Sequence, residues 1–151
     1  MWKRLACLLA ALWVCAAGAL GEGGTFALRF DEGFALSLPE GWVSYPAGEG
    51  PIRYALGPGD GAHFLYILAQ PTQLGDFEAM RAAIEAHPDC DRTSPLALNG
   101  VDFAAFVAPG LNASGVATLH DGELLTFLFT PQDDSDYIMQ VAEIMGSFRT
   151  A

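Results

Sequence analysis

Lysine is almost missing from this chain: Lys3 is the single one in 151 residues. Acidic residues number 18 against seven Lys and Arg together, and the net charge is −11. Phosphate contacts need cationic side chains, so a general nucleic-acid binder is excluded. Cysteine is scarce too. Three Cys in the whole chain cannot build a disulfide framework. Three motifs are absent: the G-x-S-x-G of a serine-hydrolase elbow, the G-x-G-x-x-G of a dinucleotide fold, and the G-x-x-x-x-G-K phosphate loop. Long apolar runs are limited to one. It extends from Leu5 to Leu20, is interrupted by Gly18, and falls short of the ~20 residues a membrane span requires. Disorder is excluded by the opposite balance, 52% hydrophobic residues with a mean hydropathy of +0.28.

That single run has the layout of an export signal. Met1-Trp2-Lys3-Arg4 is a positive start, Leu5–Val14 an apolar stretch, and Ala17-Gly18-Ala19 a small-x-small cleavage site. Residues 1–19 are therefore expected to be a signal peptide cleaved near Ala19, and the protein is expected to be secreted or extracytoplasmic. The alternative is a lipoprotein anchored through Cys15, which follows Leu12-Trp13-Val14. Val14 is bulkier than the small residue that usually precedes a lipidated Cys. Residues 20–25 are Gly-rich and suit a flexible tether. Without Lys3 and Arg4 the charge becomes −11 − 2 = −13, and the remaining cations are Arg29, Arg53, Arg81, Arg92 and Arg149. Cys7 and Cys15 leave with the signal. Cys90 then stands alone, so no internal disulfide can form.

Residues 26–149 read as a single globular domain. Phe26, Leu28 and Phe30 alternate, and Phe34, Leu36 and Leu38 resume the alternation after Asp31-Glu32-Gly33. That pattern is a hairpin with a three-residue loop. A short extension over Trp42–Tyr45 and a strand around Ile52, Tyr54 and Leu56 follow. His63–Ala69 is apolar throughout and is expected to be a central strand covered on both faces. The period then changes. Leu74, Phe77, Met80, Ile84 and His87 recur at three- and four-residue steps, between Asp76 as cap and Pro88 as stop. This spacing predicts a helix over about 76–86. Strands return as two hairpins, one turning at Asn99-Gly100 and the other at Asp121-Gly122, dipeptides that favour type I′ turns. A second helix follows, capped by Ser135 or Asp134 and striped by Ile138, Val141, Met145 and Phe148. The fold class is α+β: an antiparallel β-sheet of about 6–8 strands, strongly bent and sandwiched between two helices as α/β/α.

Two segments carry a family resemblance. Phe34-Ala35-Leu36-Ser37-Leu38-Pro39-Glu40-Gly41-Trp42 resembles the F-x-(I/L)-x-x-P-x-G-W opening of PsbP-like domains. The close of the chain is similar to the same group: an acidic cap, an amphipathic helix, then Ile144-Met145-Gly146-Ser147-Phe148. These domains include the extrinsic photosystem II protein and many small exported bacterial proteins. The resemblance implies the same α/β/α architecture and a binding or accessory role. It implies no activity, because function belongs to sites and not to folds. Trp42, after Pro-x-Gly, is expected to plug the end of the core.

The sharpest chemical segment is His87-Pro88-Asp89-Cys90-Asp91. A reactive Cys must be a thiolate and needs positive charge nearby. Cys90 has Asp on both sides instead, which raises its pKa. It is expected to be an inert, partly buried thiol. A metal reading finds two good ligands, His87 and Cys90, and would need His63 or His120 to arrive from elsewhere. Asp133-Asp134-Ser135-Asp136 lacks calcium-loop spacing, with Ile138 where the loop requires Gly. Acids there complement a helix N-terminus. His120-Asp121-Gly122-Glu123 has catalytic residue types in a hairpin turn, where they are ordinary.

No catalytic, cofactor-binding or metal residue is therefore assigned, and no cofactor is implied. The sequence reads as an exported non-catalytic binding or accessory protein, not an enzyme. Its partner would be a protein or other cell-envelope component, neutral or basic, since −13 repels anions. Nucleic acid is excluded, and the mature domain is not expected to span a membrane. The alternative is a small exported metal- or thiol-dependent protein using His87–Asp91.

Overall fold

The computed structural model describes residues 24–48 and 50–150. The expected signal peptide, with Cys7 and Cys15, lies outside the described residues, as does most of the Gly-rich segment.

Strand β1 (Thr25–Phe30) and strand β2 (Phe34–Pro39) pair antiparallel. Their alternation places Phe26, Leu28, Phe30, Phe34, Leu36 and Leu38 in the core. The expected three-residue loop joins them, with Gly33 at φ +88° and its N–H donating to the Phe30 carbonyl. The chain continues through β3 (Val43–Tyr45), β4 (Ile52–Gly57) and β5 (Phe64–Pro71) to helix α1 (Phe77–Glu85). Asp76 caps that helix, accepting from the Ala79 N–H at 2.8 Å. Four longer strands follow: β6 (Asp91–Leu98), β7 (Val101–Ala108), β8 (Ala113–His120) and β9 (Glu123–Thr130). A 3₁₀ turn over Pro109–Leu111 joins β7 to β8. Helix α2 (Ser135–Gly146) and the short strand β10 (Arg149–Thr150) end the described chain.

The strands form two sheets. Seven run in the order β3-β4-β5-β9-β8-β7-β6, and three in the order β1-β2-β10. The expected mixed α+β class, large antiparallel sheet and two helices are present, but a single bent sheet is not. The first hairpin pairs with β10 and not with β3. Gly41, at φ +87°, turns the chain between β2 and β3. The other hairpins follow their turn chemistry. Asn99 and Gly100 have φ of 50° and 81°, Asp121 and Gly122 of 48° and 78°. Positive φ at both centres is the type I′ geometry whose twist matches paired strands.

Alternation along β9 divides the large sheet's faces. Leu125, Phe127 and Phe129 join one core cluster, while Leu124 and Leu128 join another. The first cluster includes the β1–β2 hairpin and Tyr137, Val141, Ile144 and Met145 of α2. At its centre the Phe148 ring lies 5.6 Å from Phe34, 5.0 Å from Phe103 and 5.9 Å from Phe127. Four elements distant in sequence therefore meet in one aromatic group. Asn99, in the β6–β7 turn, donates its side-chain amide to the carbonyls of Gly146 and Phe148 at 3.0 and 2.7 Å. It satisfies acceptors that the end of α2 would otherwise leave open. Trp42 is 5% exposed and belongs to this cluster, as a core plug should.

His63 precedes β5 and ties the β4–β5 loop to α2. Its Nδ1 meets Asp60 and its Nε2 meets Asp134 at 2.8 Å. Asp134, not Ser135, is the helix cap, its other oxygen accepting from the Tyr137 N–H at 3.1 Å. The two carboxylates raise the His63 pKa above 6.5, the Asp134 bond being the larger cause. Hydrogen bonding lowers both acids below 3.8. The His63 contribution to stability is complete below pH 6.5 and is lost as pH rises through its folded-state value. That of the acids is complete above pH 3.8 and is lost as pH falls through theirs. The cluster thus stabilises most between the two limits. NMR titration of the His63 ring should give a pKa above 6.5 that falls towards it in Asp134→Asn, a variant that retains a capping oxygen.

Candidate functional site: an apolar cavity beneath helix α1

Helix α1 buries Met80 and Ile84 against the face of the large sheet that carries Ala104, Phe106 and Ala117. It packs on β6, β7 and β8. Seven strands spaced ~4.8 Å apart span ~29 Å, whereas one helix is ~10–12 Å across. The helix therefore cannot cover this face, and the part over β5 and β9 stays open. Beside it lies a cavity of about 370 Å³, open on one side. Its floor includes Leu68, Thr126 and Leu128, and α1 forms one wall. Leu111 of the 3₁₀ turn stands at the edge, 59% exposed.

Gly115 shapes this surface. A Cβ there would stand 2.5 Å from Phe106 Cζ and 2.9 Å from Leu128 Cδ2. Glycine on β8 lets its neighbours on β7 and β9 approach across it.

The segment singled out in the sequence lies at the cavity's mouth. His87, Asp89 and Cys90 all line it. After α1 ends, the His87 carbonyl accepts from the Cys90 N–H at 3.1 Å, and His87 Nδ1 accepts from the Asp89 N–H at 3.2 Å. Asp91 is exposed at the start of β6, and its carboxylate accepts from the Arg92 N–H. Burial, followed by the charge of Asp89, raises the Cys90 thiol pKa. The expected direction therefore holds with a different leading cause: desolvation outweighs the flanking acids. At neutral pH the group is a thiol, and alkylation of Cys90 by N-ethylmaleimide is expected to be several-fold slower than that of an unstructured Cys peptide. Mass spectrometry of the peptide carrying Cys90 measures this.

The other histidines do not line the cavity. His63 is held by Asp60 and Asp134. His120 Nε2 is 3.3 Å from the Asp121 carboxylate but outside hydrogen-bonding alignment. Among the described residues, no three His, Cys, Asp or Glu side chains gather as a metal would require. Within the acidic run, Asp134 is taken up by helix capping and the His63 bond, and Asp136 lies in the first turn of α2.

The floor of the cavity was not legible in the sequence. β5 was expected to be covered on both faces. Leu65, Ile67 and Ala69 are buried, but Phe64, Tyr66 and Leu68 on the other face are only half-buried. A continuous apolar run cannot distinguish a covered face from one lining a cavity.

No protein-family model matches the chain, and no curated relative matches it. Its fold does match a solved one. The solution structure of cyanobacterial PsbP (CyanoP) from Synechocystis sp. PCC 6803 superposes with a TM-score of 0.59 over 87% of this chain and 95% of that one, at 13% sequence identity. The fold is therefore PsbP-like, as the opening and closing segments implied. Identity this low shows the fold alone. Among the described residues, no helix is long and apolar enough to cross a membrane.

Proposed function

We propose that the protein is an exported, non-catalytic binding or accessory protein that presents the α1 face to its partner. The cavity carries this reading. It is concave, mostly apolar and within the ~300–1,000 Å³ usual for binding sites, and its rim holds a thiol whose pKa burial raises. At that rim His87 Nδ1 is taken up by the Asp89 N–H, and Cys90 has an Asp on each side. The likeness to PsbP agrees with an accessory role. The strong acidity favours a neutral or basic partner.

Export belongs to the same reading, with cleavage near Ala19 or anchoring at Cys15 as its two forms. So does the view of residues 26–149 as one domain with its large sheet between the helices. The separate clusters to which α1 and α2 contribute support that placement. Expression of the full chain in a bacterial host tests export. A mature N-terminus at Leu20, or a lipid adduct on Cys15, is expected, and an intact Met1 in the cytoplasm would contradict it. For binding, full-chain protein should retain a cell-envelope component that Thr126→Trp, which places an indole on the cavity floor, does not. Equal retention by both would move the site off this face.

A further inference from the structure

The cavity has a specific chemistry, and we infer that its occupant is an uncharged, apolar small molecule. This inference rests on the binding-protein reading and names the ligand class for the same site. The concavity is open on one side, has an apolar floor and, at about 370 Å³, has the size of a small-molecule site. Met80 and Ala117, each 1% exposed, also line it, so the cavity reaches the level of the core. A ligand there would exchange water for Leu, Met and Phe surface, the driving force for apolar binding.

Charge narrows the class. No Lys or Arg lines the cavity. A carboxylate, sulfonate or phosphate on the floor would sit in apolar surroundings with no Lys or Arg as counter-ion, at a large desolvation cost, and at the mouth would face Asp89 beside the His87 ring. A cation would find only Asp89, whose side chain is 66% exposed, with no acid on the floor. The polar groups available to orient a ligand deeper in are the Gln70 amide, the Thr126 hydroxyl and the Cys90 thiol, with the His87 ring and Asp89 at the mouth. They suit a hydroxyl or carbonyl at one end of a hydrocarbon or aromatic body.

A matched pair of probes tests this. N-phenyl-1-naphthylamine is uncharged, and 1-anilinonaphthalene-8-sulfonate adds an anionic group to nearly the same framework. Fluorescence titration of the full chain should show saturable one-to-one binding of the uncharged probe. The sulfonate should bind at least about tenfold more weakly, a difference of ~1.4 kcal/mol. Saturation with the uncharged probe should slow maleimide alkylation of Cys90 several-fold, read at its own peptide so that Cys7 and Cys15 do not interfere. Thr126→Trp should remove binding while the chain still unfolds cooperatively. Cys90 protection in the unaltered protein decides the matter if that variant does not fold.

Equal affinity for the two probes, or binding that leaves Cys90 unprotected, would overturn the inference. If neither probe binds but an envelope protein fraction protects Cys90, the ligand class falls and the binding reading stands. Protection by neither would overturn both.

Discussion

Replacing Phe127 with alanine lowers the unfolding free energy by about 3–5 kcal/mol, the cost of deleting a large aromatic from a packed core. Phe127 is fully buried on β9. Its ring is 5.4 Å from Phe34, 6.3 Å from Phe103 and 5.9 Å from Phe148. Those partners come from β2, β7 and the segment after α2, so the cavity left behind would open between both sheets and the second helix. Domains are stable by only about 5–15 kcal/mol, and such a loss brings this one close to unfolding at moderate temperature. Denaturant titration followed by circular dichroism measures it. A loss below about 1 kcal/mol would mean that the four rings do not share one core.

Gly57→Ala should be the other large effect. Gly57 ends β4, and a Cβ there would overlap the His63 backbone carbonyl oxygen and come within 3.3 Å of Tyr45 Cε2. The colliding atom is main chain, so no rotamer change relieves it. His63 cannot readily retreat, because Asp60 and Asp134 hold its ring from both sides. Overpacking costs about 1–3 kcal/mol, and this site belongs at the upper end. Gly75→Ala is the control. Its Cβ would meet open space, and its stability should change by less than about 1 kcal/mol. Thermal unfolding of the two variants, side by side, separates the contact from glycine's general freedom. Equal effects would contradict the close approach.

Much of this fold is written in local sequence. Asn99-Gly100 and Asp121-Gly122 specified their hairpins because positive φ is inexpensive for those residues. The stripe Phe77, Met80, Ile84 and the Asp76 cap marked α1 to within a residue. The features that escaped depend on distance along the chain. His63 and Asp134 are 71 residues apart, and Asn99 reaches carbonyls 47 and 49 residues away. Neither pairing has a local signature. The early part of β6, Asp91–Pro95, shows no apolar alternation, because an edge strand can be polar and can hold a proline. The small sheet is separate because β2 pairs with β1 and β10 and not with β3, and β10 is two residues with no periodicity to read. The candidate site was half visible. His87, Asp89 and Cys90 stood out by residue type, but Leu68, Thr126 and Leu128 were indistinguishable from core until the short reach of α1 was known.

An apolar binding site on the α1 face of the large sheet would respond residue by residue to its ligand. The most direct measurement is a nitrogen-15 chemical-shift map recorded while uncharged N-phenyl-1-naphthylamine is added. The shifts should concentrate on Leu68, Ile84, Cys90, Leu111 and Leu128, all of which line the cavity. Shifts centred instead on the β1–β2 hairpin or α2, or none at saturating probe, would contradict it.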